Sequence, residues 1–237
     1  AENYVAKIKQ RNEIDNLENL VANPKKPMLA IVGGSKVSTK IDLLNSLIKK
    51  ADAIFIAGGM ANTFLYAMGN NIGKSLCEKD LKDLALEILE AAKKNDCQII
   101  LPQDVVVCKK LENGTAVRNI DIVDVVDDDI IADVGQKTIQ DLAIQIENLK
   151  TIVWNGPLGA FEIKPFDQST TALAKIIAEG TKDGKLISVT EPSDNDMFDD
   201  EIAQYQKDKT AQAKKQLADY KSAQSGEDDD EEDETET

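Results

Sequence analysis

The chain contains no histidine, so no imidazole is available as a base, a proton shuttle or a metal ligand. Arginine occurs only as Arg11 and Arg118, and aromatics make up 4% of the residues, with a single tryptophan. Cys77, Cys97 and Cys108 are an odd number without metal-ligand spacing, and they read as reduced thiols of a cytoplasmic protein. No apolar run approaches the roughly 20 residues that span a bilayer, and the first residues lack the basic-then-apolar order of a signal peptide. Membrane partners are therefore not expected. Asn113-Gly114-Thr115 fits a glycosylation sequon but reads as a turn. The net charge of −15 is uneven: residues 190–237 carry 17 acids and 5 lysines, a net of −12, leaving −3 for residues 1–189. No basic stripe remains to release phosphate counterions, so nucleic acid is not an expected partner.

What is present is organised around Met28–Lys40. An apolar run (Met28 to Val32) reads as a buried strand, Gly33-Gly34 breaks it, and Ile41, Leu43, Leu44, Leu47 and Ile48 follow at helical spacing. Strand, glycine turn and helix start together make an anion site, because glycines admit close backbone approach and the first helical turn leaves N–H groups unpaired. Lys36 and Lys40 are four apart, so on a helix they share a face and reach one polyphosphate. The stretch is neither a P-loop nor a G-x-G-x-x-G fingerprint.

The rest of the chain alternates. Residues 1–23 carry Ile14, Leu17, Leu20 and Val21 at helical spacing, closed by Asn23-Pro24. Strands are expected at 28–33, 53–59, 98–102, 151–154 and 185–189, and helices near 37–50, around Phe64, at 78–95, after Gly135 and at 167–180. Residues 104–132 read as short strands and turns. This is an α/β pattern: a parallel sheet with helices on both faces, which binds ligands at the carboxyl ends of its strands. Gly33-Gly34, Gly58-Gly59 and Asn155-Gly156 all fall at such ends. After Val189 the character changes: 199–221 is polar, and the aromatic-free acidic run 225–237 is expected to be disordered.

Five stretches together resemble the C-terminal, nucleotide-binding domain of phosphoglycerate kinase over about residues 12–189. They are 30–40 (AIVGGSKVSTK), 56–65 (IAGGMANTFL), 101–107 (LPQDVVV), 133–138 (DVGQKT) and 153–162 (VWNGPLGAFE). The resemblance implies a Rossmann-like domain at 24–189, preceded by an interdomain-type helix at 1–23 and followed by a polar segment and acidic tail at 190–237. It implies reversible phosphoryl transfer between 1,3-bisphosphoglycerate and ADP in glycolysis, with Mg2+ accompanying ADP/ATP. Lys36 would stabilise the moving phosphoryl group and Lys40 would hold a nucleotide phosphate. Gly33, Gly34, Gly58 and Gly59 would admit phosphates and adenine. Leu76, Leu111 and Ala132 would line the adenine slot. Asn155 would bind phosphate, Glu162 the ribose hydroxyls, and Asp194 would help hold the metal. These roles suit phosphoryl transfer, which depends on positioning and on cations against the equatorial oxygens.

The sequence also departs from the family pattern. Nothing in it rebuilds the basic glycerate site of the family's N-terminal domain, so a separate glycerate-binding domain is a candidate partner. After the strand at 185–189 the family has a glycine triplet, Asp and Thr, whereas this chain has Thr190-Glu191-Pro192-Ser193-Asp194-Asn195. Pro192 lacks an N–H and Glu191 adds negative charge, which spoils an anion nest. The family's final strand and closing segment are not found, so the sheet is expected to be incomplete at that end. Gln136 replaces a usual Pro and Gln103 a usual Val. The expected function is an ADP/ATP-binding domain that is catalytically incomplete by itself. The alternatives are a non-catalytic nucleotide-binding module and a non-functional remnant or chimera.

Overall fold

The computed structural model describes residues 24–182 and 184–190. The helix expected at 1–23 and everything from 191 onward, Asp194 included, lie outside the described residues.

The described chain forms two sheets. Five strands make the larger one: β1 (Met28–Val32), β2 (Ala53–Ile56), β3 (Gln98–Ile100), β7 (Thr151–Asn155) and β8 (Ile187–Thr190), in the order β3-β2-β1-β7-β8, with every neighbouring pair parallel. The expected parallel sheet is thus present. A smaller antiparallel sheet has the order β5-β4-β6, from β4 (Asp104–Cys108), β5 (Val117–Asp121) and β6 (Ile130–Val134). The sequence reading offered this region only as short strands and turns.

Helices cover both faces of the large sheet. Alternate residues of β1 serve the two sides. Met28, Ala30 and Val32 pack with Leu44 and Leu47 of α1 (Ile41–Ile48), Met60 and Phe64 of α2 (Gly58–Ala67) and Ile88 of α3 (Lys82–Lys94). Leu29 and Ile31 pack with Leu142 of α4 (Gln136–Ile146) and Leu173 and Ile177 of α5 (Gln168–Lys182). Burial on both faces explains why β1 reads as one unbroken apolar run.

Three local expectations need correction. Lys36 and Lys40 do not share a helix: α1 begins at Ile41, Lys40 is its N-cap, and residues 38–40 form a turn closed by the Lys40 N–H donating to the Val37 carbonyl at 2.9 Å. Gly58 and Gly59 do not end a strand but begin α2. The helix expected at 78–95 is a short 3-10 turn at Lys79–Leu81 followed by α3. The Asn113-Gly114 segment is the expected turn, and its Asn113 Oδ1 accepts from the Lys164 N–H at 2.8 Å.

One buried carboxylate ties the smaller sheet to α4. Asp104, at the start of β4, accepts the N–H groups of Lys137 and Thr138 (3.0 and 2.8 Å), the Thr138 hydroxyl (2.7 Å) and the Asn119 amide (2.8 Å). It thereby satisfies the first turn of α4 from another element. Gly135, the N-cap of α4, leaves the room: a Cβ there would lie 2.2 Å from the Asp104 carboxyl carbon.

Candidate nucleotide site

The chain runs from β1 outward to β2 and β3 on one side, then returns to β7 and β8 on the other. The strand order therefore reverses between β1 and β7. In open α/β sheets the crevice beyond the carboxyl ends at such a reversal is where ligands bind. Gly33 directly follows β1, and Asn155 ends β7.

The three glycine turns meet there through their backbones. The Gly33 N–H donates to the Asn155 carbonyl (2.8 Å), Met60 N–H to the Gly34 carbonyl (3.0 Å) and Gly58 N–H to the Leu158 carbonyl (3.0 Å). Gly33 has no space for a side chain, because a Cβ would sit 1.9 Å from the Pro157 oxygen. Gly58 needs glycine twice over: its φ is +67°, and a Cβ would lie 2.6 Å from the Gly34 oxygen. The three turns thus pack backbone against backbone, with Gly33 and Gly34 buried and Gly58 and Gly59 partly exposed at the rim.

Lys40, the N-cap of α1, reaches across this rim and donates from Nζ to Asn155 Oδ1 at 2.8 Å. The two residues assigned to phosphate from the resemblance are thus in contact, although 115 residues separate them. Lys36 is exposed on the same turn, held partly by the Thr39 hydroxyl donating to its carbonyl at 2.9 Å.

The apolar candidates lie nearby. Leu76 is half-buried, with its Cδ2 3.1 Å from where Gly59 would carry a Cβ, and its carbonyl accepts from the Asn62 amide at 3.1 Å. The adjoining Ser75 hydroxyl accepts from the Ile131 N–H at 2.8 Å, which ties this segment to β6 next to Ala132. Ala132 is buried in a cluster with Cys108 and Phe166, against which Leu111 packs. Glu162 is exposed on the turn after Ala160, and the Ala160 N–H donates to the Ala132 carbonyl at 2.8 Å.

Several residues at the site were not singled out from sequence. Trp154 donates its indole N–H to the Gly156 carbonyl at 2.6 Å and so braces the turn that carries Asn155. Asp133 is buried and accepts the Ser169 N–H (3.1 Å), the Ser169 hydroxyl and the Val134 N–H (2.8 Å). Burial pushes its carboxyl up to about 6, against the pull of those bonds. The Glu78 carboxylate accepts the Ser38 N–H at 3.0 Å and the Ser38 hydroxyl at 2.5 Å. A fourfold-bonded acid such as Asp104 leaves no local sequence signal, since its partners are 15 to 34 residues away in the chain.

The three cysteines are free thiols, and burial pushes that of Cys97 up to about 11. Arg118 is engaged with the buried Asp129 at 2.5 Å. Among the described residues no group of three or more Cys, Asp or Glu side chains could hold a metal ion, and no helix is long and apolar enough to cross a membrane.

The sequence profile described as "Phosphoglycerate kinase" matches residues 7–196. The chain belongs to the phosphoglycerate kinase family. The match is wider than the stretch of resemblance read from the motifs. The phosphoglycerate kinase of Mesorhizobium japonicum is 54% identical over 177 residues, covering 75% of this chain and 44% of that protein. That of Caulobacter vibrioides is 50% identical over 184 residues, 77% of this chain and 46% of the relative. Among solved structures, the phosphoglycerate kinase from Coxiella burnetii superposes with a TM-score of 0.73 at 41% identity, over 81% of this chain and 48% of that one. The chain thus spans a little under half the length of the phosphoglycerate kinases it matches. The two positions read from the sequence as small departures each carry a bond. Gln136 donates its N–H to Asn119 Oδ1 at 2.9 Å, which a proline could not do, and the Gln103 amide donates to Asp141 at 2.8 Å.

Proposed function

We propose that residues 24–190 are the nucleotide-binding part of a phosphoglycerate kinase, holding ADP or ATP at the β1/β7 reversal. The observation that carries this reading is the Lys40–Asn155 contact at 2.8 Å, set on a rim of glycine backbone. A cation beside glycine backbone at strand ends suits a polyphosphate. Lys40 and Asn155 take a nucleotide phosphate. Lys36 faces the group in flight, Leu76, Leu111 and Ala132 take the adenine, and Glu162 takes the ribose hydroxyls. The reaction is phosphoryl transfer between 1,3-bisphosphoglycerate and ADP, a step of glycolysis, in the cytoplasm.

Lysines and peptide edges suit the phosphates rather than the metal, so Mg2+ enters on the nucleotide. The glycerate half belongs to another domain or chain. Of the two arginines, Arg118 already serves Asp129, and Arg11 lies outside the described residues. That engagement also favours a second reading, in which these residues bind nucleotide without turning over.

Calorimetric titration with Mg-ADP tests the proposal. Wild type should bind saturably, and Lys40→Ala should bind about 10- to 150-fold more weakly, the loss of one charge-assisted hydrogen bond of about 1.5–3 kcal/mol. No binding by folded wild type, or equal affinity in Lys40→Ala, would sink it.

A further inference from the structure

The turn at residues 36–40 presents both lysines, yet it belongs to no helix or strand. Val37 is buried in the core and sets how deep the turn sits, but one buried side chain does not set its orientation. Ser38, between the two lysines, is where a second tie is made: both its N–H and its hydroxyl donate to the Glu78 carboxylate, at 3.0 and 2.5 Å. Glu78 is itself anchored. Its N–H donates to the hydroxyl of Thr63 on α2 at 3.1 Å, and two residues earlier the Leu76 carbonyl accepts from Asn62, the preceding residue of α2. Thr63 and Asn62 are both buried. One acid therefore connects the lysine turn to the helix that also fixes Leu76.

We infer that Glu78 is a positioning residue for the nucleotide phosphates, holding the Ser38 turn so that Lys36 and Lys40 face the β1/β7 crevice. The inference rests on the reading of this crevice as the nucleotide site. Its sign is opposite to simple electrostatics. A carboxylate beside a polyphosphate repels it, so deleting Glu78 would strengthen ADP binding if charge were its only effect. A carboxylate that orients two lysines weakens binding when deleted.

The test is Mg-ADP titration of the whole chain, with a urea melt of each variant to establish folding. Glu78→Ala keeps the backbone bond to Thr63 and loses both Ser38 bonds; it should bind ADP about five- to tenfold more weakly. Glu78→Gln keeps an acceptor for the Ser38 N–H and an amide donor for its hydroxyl, and should stay within about twofold of wild type. Ser38→Ala should fall between them. If Glu78 acts through the lysines, its deletion in a Lys40→Ala background should cost less than about threefold, because residues acting as a unit are not additive. A merely structural role would give the same cost in both backgrounds. Stronger binding in Glu78→Ala, an equal loss in Glu78→Gln, or full additivity overturns the inference while leaving the site reading intact. A wild type that binds no ADP overturns both.

Discussion

Replacing Asp104 should remove much of the stability of the described fold. In Asp104→Ala the Lys137 and Thr138 N–H groups, the Thr138 hydroxyl and the Asn119 amide lose their shared acceptor in a buried place. A buried donor left without a partner costs about 1–3 kcal/mol, and loss of a helix N-cap about 1 kcal/mol. These overlap, so we expect a loss of about 3–5 kcal/mol, as for breaking a buried charged network. Against a total of about 5–15 kcal/mol this is a large share. The assay is urea unfolding followed by Trp154 emission, the only indole in the chain and one packed in the core. The carboxylate itself adds a pH signature. Burial pushes Asp104 up, but the bonds from Thr138, Asn119 and Lys137 outweigh it and hold the group below the ordinary carboxylate range. A depressed native value means stability that is present above the unfolded value of about 3.9 and lost as pH falls through the native one. The gap between wild type and Asp104→Asn should therefore hold from neutral pH down to about 5 and close below about 4. A loss under about 1 kcal/mol in Asp104→Ala, or a gap that persists in acid, would refute the reasoning.

Other tests bear on the site. Gly33→Ala drives a methyl to within 1.9 Å of the Pro157 oxygen, so it should abolish Mg-ADP binding by calorimetry and lower the urea midpoint. Wild-type affinity in that variant would mean the turns are not rigid against each other. Asp133 has the reverse sign from Asp104. Its carboxyl is raised to about 6 chiefly by burial, with Asp167 adding repulsion, so its contribution is full below about 3.9 and lost as pH rises through about 6. The wild-type urea midpoint should fall across that window, and Asp133→Asn should lack that fall; parallel profiles would contradict it. Finally, the isolated chain given 1,3-bisphosphoglycerate and Mg-ADP should form no ATP above background in a coupled luciferase assay, and robust synthesis would overturn the assignment of glycerate binding to another domain.

The sheet was legible because its signal is local. Runs such as Met28–Val32 and Thr151–Trp154 are buried on both faces, and the helices between them carry apolar residues at helical spacing. The smaller sheet was not legible. The middle strand, β4, precedes both of its partners in the chain, and β5 is mostly exposed, so its Val117-Arg118-Asn119 run shows no apolar face. Gly58-Gly59 was misplaced because a glycine pair after an apolar run signals an ending. Here the positive φ of Gly58 turns the chain straight into α2.

The reason for singling out Lys36 and Lys40 in the sequence does not explain how the structure holds them. Spacing suggested that Lys36 and Lys40 share a helical face, and they do not. Lys40 is placed by capping α1 and by Asn155, 115 residues away. Its turn is held from outside by Glu78, 40 residues on. A pairing read from i, i+4 spacing would make the lysines depend on the helix, so that weakening α1 would disable them. The observed arrangement makes them depend on the meeting of β1, β7 and the Glu78 segment. Substitutions on the exposed face of α1, such as Glu or Ala at Ser46, should therefore leave ADP affinity alone, while a change at Ser38 or Asn155 should not. On the proposed reading, the phosphate site is a property of three chain segments brought together, carried by the fold and not by the interval between two lysines.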